Sequence, residues 1–445
     1  MGDPCIWVFH RTLLAIALGR DLQPVLVSAS SPKLPSKYRP KLRLLYPGWF
    51  LLTRILFTLS QKPLAISQLR YLTVLLSFLL ILVAEAVSSD RPKSITALES
   101  EILSARLRGD YLGAISLTEA LAAQPGGSLL ATSLELDTRL TEMSWDMNTP
   151  NNLTLLVQLS ETLIDECRSA RRQANAEALF YCGRGHFAAS YLSALEGNLF
   201  DAGSHGSKAI YAFEASLTAN PQLVAVKLPL GMAYFYADNL PRFAKLMAPL
   251  LWFIPTGNSN KSLPYIREVI DSNGPYADAA RFIYADLIMQ RSPLQMQKAL
   301  DLLDVLIDRY PMNPRLHLAQ IAGFAYTEQW QAADSALRRM QREARQDPRF
   351  QSVGHIWAIY IAKYLGEPLS KSQQMTLLAI TDQDLPAWST DWHRLATGMV
   401  LDFQGQRDRA LEHYEWVLAR DNDYASGWLL DLARQGLNEP LFKAD

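Results

Sequence analysis

From Ile95 onward, apolar residues recur every three or four positions, the spacing that gathers them on one face of an α-helix. Ile95, Leu98, Ile102 and Leu103 make a first face, Gly109-Asp110 breaks it, Ala114, Leu117 and Leu121 make a second, and Pro125-Gly126-Gly127 stops it. This predicts a helical hairpin. Residues 128–170 predict two more helices, parted at Asn148-Thr149-Pro150-Asn151-Asn152, where Asn and Thr can cap and Pro cannot continue. A long helix is predicted from Ala174 to Leu195, its apolar positions including Ala178, Phe180, Tyr181 and Phe187; GNLFDAGSHGS then reads as a loosening of the chain before Lys208.

The most regular section is Lys208 to Pro255, which overlays on itself with a shift of 34 residues: Phe200 falls on Tyr234, Phe213 on Met247, Ser216 on Leu250, Leu217 on Leu251 and Pro221 on Pro255. Small Ala209 and Gly231 stand where paired helices must approach, and Phe213, Tyr234 and Phe235 are predicted to fill the space between pairs. After Trp252-Phe253-Ile254-Pro255 the pattern is interrupted, a short helix from Lys261 to Asp271 is inserted, and the period resumes at Tyr276. Ala299, Leu303, Leu306 and Pro311 repeat the second-helix spacing; Phe324, Trp330, Ala333 and Pro348 give a weaker copy. Gly366 to Pro386 reads as looser. The last clear unit places Gly398, Gly405, Ala410, Tyr414 and Val417 at repeat positions 8, 15, 20, 24 and 27, and Leu429 to Leu437 is predicted to cap the array with a solvated face.

Composition divides the chain. The 445 residues are 49% hydrophobic and 20% charged, which suits a folded protein. Residues 1–70 hold ten Lys/Arg against Asp3 and Asp21, so the remaining 33 basic and 42 acidic residues leave the body at a net −9. An acidic body argues against nucleic acid as its partner, because phosphate contact needs a surplus of Lys/Arg. The domain organisation expected is a basic, largely unstructured head over residues 1–70, an apolar segment over 71–86, a helical repeat domain over 87–437 and a tail over 438–445.

The apolar segment, Tyr71 to Ala84, has fourteen residues without a charge. As a helix it spans roughly 21 Å, short of the ~30 Å hydrocarbon core of a bilayer. A positive flank at Lys62 and Arg70, a short apolar run and then Ala84-Glu85-Ala86 follow the plan of a signal peptide with a small-x-small cleavage site, so cleavage is expected after Ala86. The expected true start then lies near residues 59–66, at a codon not normally read as Met, since no Met stands between Met1 and Met143. The alternatives are a retained signal anchor, with the repeat domain held outside the cytoplasm, and a buried core helix. Of the three cysteines, Cys167 and Cys182 pair only if the chain reverses between them, because 15 residues of continuous helix separate them by roughly 22 Å; buried free thiols are the expectation.

These features resemble the tetratricopeptide repeat superfamily over roughly Ala97 to Leu437. More narrowly, ALFYCGRGHFAASYLSALEGN, KAIYAFEASLTANP, LPLGMAYFYADNL, the insert GNSNKSLPYIREVI and ADAARFIYADL are similar to an exported bacterial branch related to the tetratricopeptide-repeat-39 type. The resemblance implies an all-α solenoid of antiparallel helix pairs that binds a protein or peptide in a concave groove. In the 34-residue register it places Ala225, Leu228, Met232 and Phe235 on the inner face of the central unit, and Trp392, Leu395, Met399 and Asp402 on that of the last. The plainer reading of such apolar positions is that they are core.

Sites for chemistry are not evident. Gly183-Arg184-Gly185 is a lone GxG within a helical pattern, and no phosphate loop is expected there. His186 and His205 are not at a metal-binding spacing, Asp391-Trp392-His393 lacks a second ligand nearby, and Asp421-Asn422-Asp423 fails as a calcium loop because Gly427 stands at position 7 and Leu432 where the bidentate Glu belongs. The expectation is therefore a non-catalytic interaction scaffold with no cofactor or metal, exported to the periplasm or cell envelope. The alternatives are a cell-wall lyase built on a helical superhelix, and a membrane-tethered assembly scaffold.

Overall fold

A computed structural model describes residues 93–145, 153–238, 258–291, 293–344, 347–419 and 427–443. The head, the apolar segment and its cleavage positions Ala84 and Ala86, and the section around Trp252 lie outside the described residues. Among the described residues the chain is all α-helical with short 3-10 turns and no strand, as the periodicity predicts. No described helix is long and apolar enough to cross a membrane.

In chain order the helices are α1 (Ile95–Leu107), α2 (Tyr111–Ala122), α3 (Ser128–Trp145), α4 (Leu153–Asp165), α5 (Cys167–Gln173), α6 (Ala176–Leu195), α7 (Leu199–Ala219) and α8 (Lys227–Asp238). They continue as α9 (Ser259–Asp271), α10 (Ala277–Arg291), α11 (Met296–Arg309), α12 (Pro314–Tyr326), α13 (Trp330–Glu343), α14 (Pro348–Leu365), α15 (Lys371–Ala379), α16 (Thr390–Phe403), α17 (Arg407–Ala419) and α18 (Gly427–Asn438).

One turn recurs through the chain. At Gly109, Ala174, Gly197, Glu328, Gly366 and Gly405 the backbone takes a positive φ, and the N–H of the next residue donates to the carbonyl five positions back, at 2.8 to 3.1 Å. This left-handed closure satisfies carbonyls that a helix C-terminus would otherwise leave open. In α1/α2, α6/α7, α12/α13 and α16/α17 it makes the same three-residue connection. Entry to the next helix is capped by side chains: Asp110 accepts from the N–H of Gly113, Asn175 from Ala178 and Asn198 from Asp201.

Within these hairpins a large side chain meets a missing Cβ. A methyl at Gly398 of α16 would lie 2.4 Å from the Tyr414 ring of α17, and one at Gly436 of α18 would lie 2.7 Å from the same ring, so Tyr414 is clamped between two glycines. Ala410, Tyr414 and Val417 are fully buried, and Gly405 makes the turn. The C-terminal core adds an aromatic cluster in which Trp392 lies 5.6 Å from both Trp357 and Tyr360 and 5.5 Å from Trp428. Past α18, Leu441 and Phe442 are buried, with Phe442 edge-on to Phe403 at 5.2 Å.

Several elements differ from the sequence reading. GNLFDAGSHGS is not loose: α7 starts at Leu199, capped by Asn198 and tied to α6 by the Ser190 hydroxyl donating to the carbonyl of Ala202 at 2.7 Å. Ala174 is the left-handed end of α5 rather than the start of α6. The stretch after Gly366 contains α15, started by a capping box between Ser370 and Gln373. The inserted helix α9 packs tightly on α8, where a Cβ at Gly231 would meet the carbonyl of Ser262 at 2.8 Å and the Ser262 hydroxyl donates to the carbonyl of Gly231.

Contacts also join helices far apart in the chain. Leu98, Ile102 and Leu103 of α1 share one core cluster with Ile266, Leu300 and Leu316. The Asn313 amide donates to the carbonyl of Leu107 at 2.8 Å, and the Arg315 guanidinium donates to that of Thr141 at 2.9 Å. A stack whose units touched only their sequence neighbours would make none of these bonds.

Because both Gly398 and Gly436 abut Tyr414, Gly398→Val should cost about 2 kcal/mol or more of stability through overpacking. Urea unfolding of the variant is expected to show a lower midpoint at an unchanged slope; an unchanged midpoint would refute the clamp.

Candidate functional site

The residues expected to line a groove divide by burial. Leu228 and Phe235 are buried in the cluster that includes Ile266 and Val269 of α9, while Ala225 and Met232 are half-buried against it. In the last unit Leu395 and Met399 are fully buried, and Trp392 lies within the aromatic cluster. Asp402 is also buried, and its carboxylate accepts from the Tyr414 hydroxyl at 2.7 Å, the Arg407 guanidinium at 2.9 Å and the N–H of Leu441 at 2.8 Å. Those three donors hold α16, α17 and the C-terminal residues together.

The densest constellation lies elsewhere, on one turn of α6. Cys182, Gly183, Arg184, Gly185 and His186 are all buried, and each meets a different partner. A Cβ at Gly183 would stand 2.5 Å from the Phe213 ring of α7, and one at Gly185 would stand 2.8 Å from the carbonyl of Ser160 in α4. The lone GxG thus has a packing cause: α6 must admit a ring on one side and a helix backbone on the other.

Arg184, between the glycines, carries a buried charge. Its guanidinium pairs with Asp137 of α3, which also lies 3.5 Å from Arg106 of α1. It donates to the Tyr276 hydroxyl at 3.3 Å, and that hydroxyl donates to Glu99 of α1 at 3.0 Å. Burial pushes Arg106 and Arg184 down from the ordinary guanidinium range and pushes Glu99 up, against the opposing hydrogen bond from Tyr276. The network joins α1, α3, α6 and the residue that leads into α10.

The flanking Cys182 and His186, one turn apart, face a sulfur and a nitrogen from neighbouring helices. Cys182 forms a disulfide with Cys167 of α5, with the two Cα atoms 5.1 Å apart. The expectation of free thiols is therefore corrected: the left-handed turn at Ala174 reverses the chain and lays α5 against α6. His186 Nδ1 meets Nδ1 of His205, on α7, at 3.0 Å. Burial, followed by His205, Lys208 and Arg171, pushes His186 down to about 4; burial and Lys208 also push His205 down. Ligand atoms of Cys167, Cys182 and His186 all lie within 4.8 Å of one another. The spacing between His186 and His205 concealed this, because the two meet across a hairpin rather than along a helix.

No protein-family model matches the chain, and no curated protein is significantly similar to it.

Burial lowers His317, His355, His393 and His413 as it does His186 and His205, so all of these contribute to the response to acid. His317 on α12 is fully buried and His393 on α16 nearly so, and burial lowers both, only partly offset by bonds to the carbonyls of Pro311 and Leu377. An unfolded imidazole titrates near about 6.5, so below that pH the unfolded chain binds protons that the folded chain refuses. Stability is then fully present above about pH 6.5 and falls as the pH drops. The urea midpoint should decrease from about pH 7.5 to about pH 5.5, with a smaller decrease in His317→Gln; equal decreases in both proteins would remove His317 from the account.

Proposed function

We propose that the chain is a non-catalytic protein-interaction scaffold of tetratricopeptide type, exported to the periplasm or cell envelope, that engages a protein or peptide segment along its helical hairpins. The observation that carries this reading is the recurrence of one hairpin, in α1/α2, α6/α7, α12/α13 and α16/α17, each closed by the same left-handed turn. Repetition of a two-helix unit is the basis on which such arrays present extended binding surfaces. The Cys167–Cys182 disulfide supports export, since such bonds persist in oxidising compartments outside the cytoplasm. Among the expected groove residues, half-buried Ala225 and Met232 are the positions a partner would reach, whereas Leu395 and Met399 serve the core.

A photo-crosslinking amino acid placed at Met232, in cells making the full chain, is expected to trap a discrete protein partner. The same residue at Leu294, which is 96% exposed, should not trap it. Thiol labelling of Cys167 and Cys182 without prior reduction should be blocked in the same cells. Equal trapping at the two positions would overturn the binding surface, and labelled thiols would overturn export.

A further inference from the structure

We propose that Cys167, Cys182, His186 and His205 form a four-ligand zinc site in the reduced chain, and that the disulfide is the oxidised, metal-free form of the same site. Two thiolates and two neutral imidazoles are the donor set of a closed tetrahedral zinc centre. The helices bring these donors together. Cys182 and His186 stand four residues apart on one face of α6, Cys167 opens α5, and His205 comes from the second turn of α7.

The distances suit a single ion. Tetrahedral bond lengths of about 2.05 Å to nitrogen and about 2.3 Å to sulfur place two nitrogens roughly 3.3 Å apart and two sulfurs roughly 3.8 Å apart. The donors of Cys167, Cys182 and His186 fall within 4.8 Å of one another; His205 stands outside that group but presents Nδ1 3.0 Å from Nδ1 of His186. Opening the disulfide lets the sulfurs separate, the imidazoles part by a few tenths of an ångström, and His205 must swing toward the sulfurs to complete the site. Lys208 and Arg171 add positive charge beside His186, which favours the thiolate form of the cysteines once they are reduced.

The chemistry balances. A dithiol reductant gives two electrons and two protons to the sulfur–sulfur bond, yielding two thiols and leaving the reductant as a disulfide. Zinc then displaces two protons as both thiols become thiolate ligands. The nitrogens that now share a hydrogen bond each turn a lone pair to the ion, and the Nδ1 proton between them moves to Nε2 of its ring. A small-molecule disulfide, by thiol–disulfide exchange, accepts the two electrons of the thiolates and leaves as two thiols after taking two protons from water, which restores the Cys167–Cys182 bond and releases the metal. Binding would fasten α5, α6 and α7 at one point, as the disulfide and the histidine contact do jointly in the oxidised chain.

The test is a cobalt and zinc titration of the purified full chain, reduced with a dithiol and then freed of it under anaerobic conditions. The reduced chain is expected to take up one Co2+, giving tetrahedral d–d bands with thiolate-to-metal charge transfer, and one Zn2+ should displace it. The oxidised chain should give neither signal. Because His205 is only half-buried, His205→Ala should still fold, and it should bind zinc at least about tenfold more weakly. The proposal is overturned if the reduced wild-type chain gives no tetrahedral spectrum. It is also overturned if that chain unfolds and stays unfolded with zinc present, or if His205→Ala binds zinc as tightly as wild type. The titration uses purified chain alone, so its outcome is separate from that of the crosslinking and the thiol labelling.

Discussion

A buried positive charge sets the terms for the N-terminal half of this protein. Arg184 lies deep among helices, where an unpaired guanidinium could not be tolerated, so Asp137 and Tyr276 must reach it, and Glu99 and Arg106 are drawn in behind them. The residues on either side make that position attainable. Gly183 and Gly185 bring α7 and α4 to contact distance, while Cys182 and His186 bind α5 and α7. Five consecutive residues of one helix thus contact α3, α4, α5, α7 and Tyr276, which leads into α10, and reach α1 through Asp137 and Tyr276.

The rest of the chain is built on a different and repeated economy. A helix ends in a left-handed residue, the next begins at a side-chain cap, and small residues in one helix admit large ones from its partner. Gly is the easy residue for that turn, and the chain uses it at four of the six places; Ala174 and Glu328 adopt the same conformation at some steric cost. Asp402 does for the C-terminal end what Arg184 does earlier, through three hydrogen bonds, two to groups of α17 and one to the backbone of Leu441. A position that looks like part of a binding face by register is, by contact, a structural clamp.

Much of this was readable from the residues. The breaks at Gly109-Asp110 and Gly405 and the close approach at Gly231 follow from local rules about glycine and capping, and each has its counterpart in the fold. What escaped the reading is non-local. The start of α7 at Leu199 was hidden because Gly203 and Gly206 weaken the helical pattern, and packing on α6 compensates for them. The Cys167–Cys182 bond, the meeting of His186 with His205 and the pairing of Arg184 with Asp137 depend on which helices lie side by side. Periodicity within each helix carries no trace of that. The one local clue was composition: two glycines, a charge, a cysteine and a histidine in a single buried turn are too costly together unless each has a partner.

Hydrogen exchange of Arg184→Ala, compared with wild type segment by segment, tests that organising role most directly. The account predicts that protection falls together in α1, α3 and the first turn of α10, segments 39 to 96 residues from the substitution in sequence, while α14 to α18 keep theirs. Loss of protection confined to α6, or none at all, would contradict it.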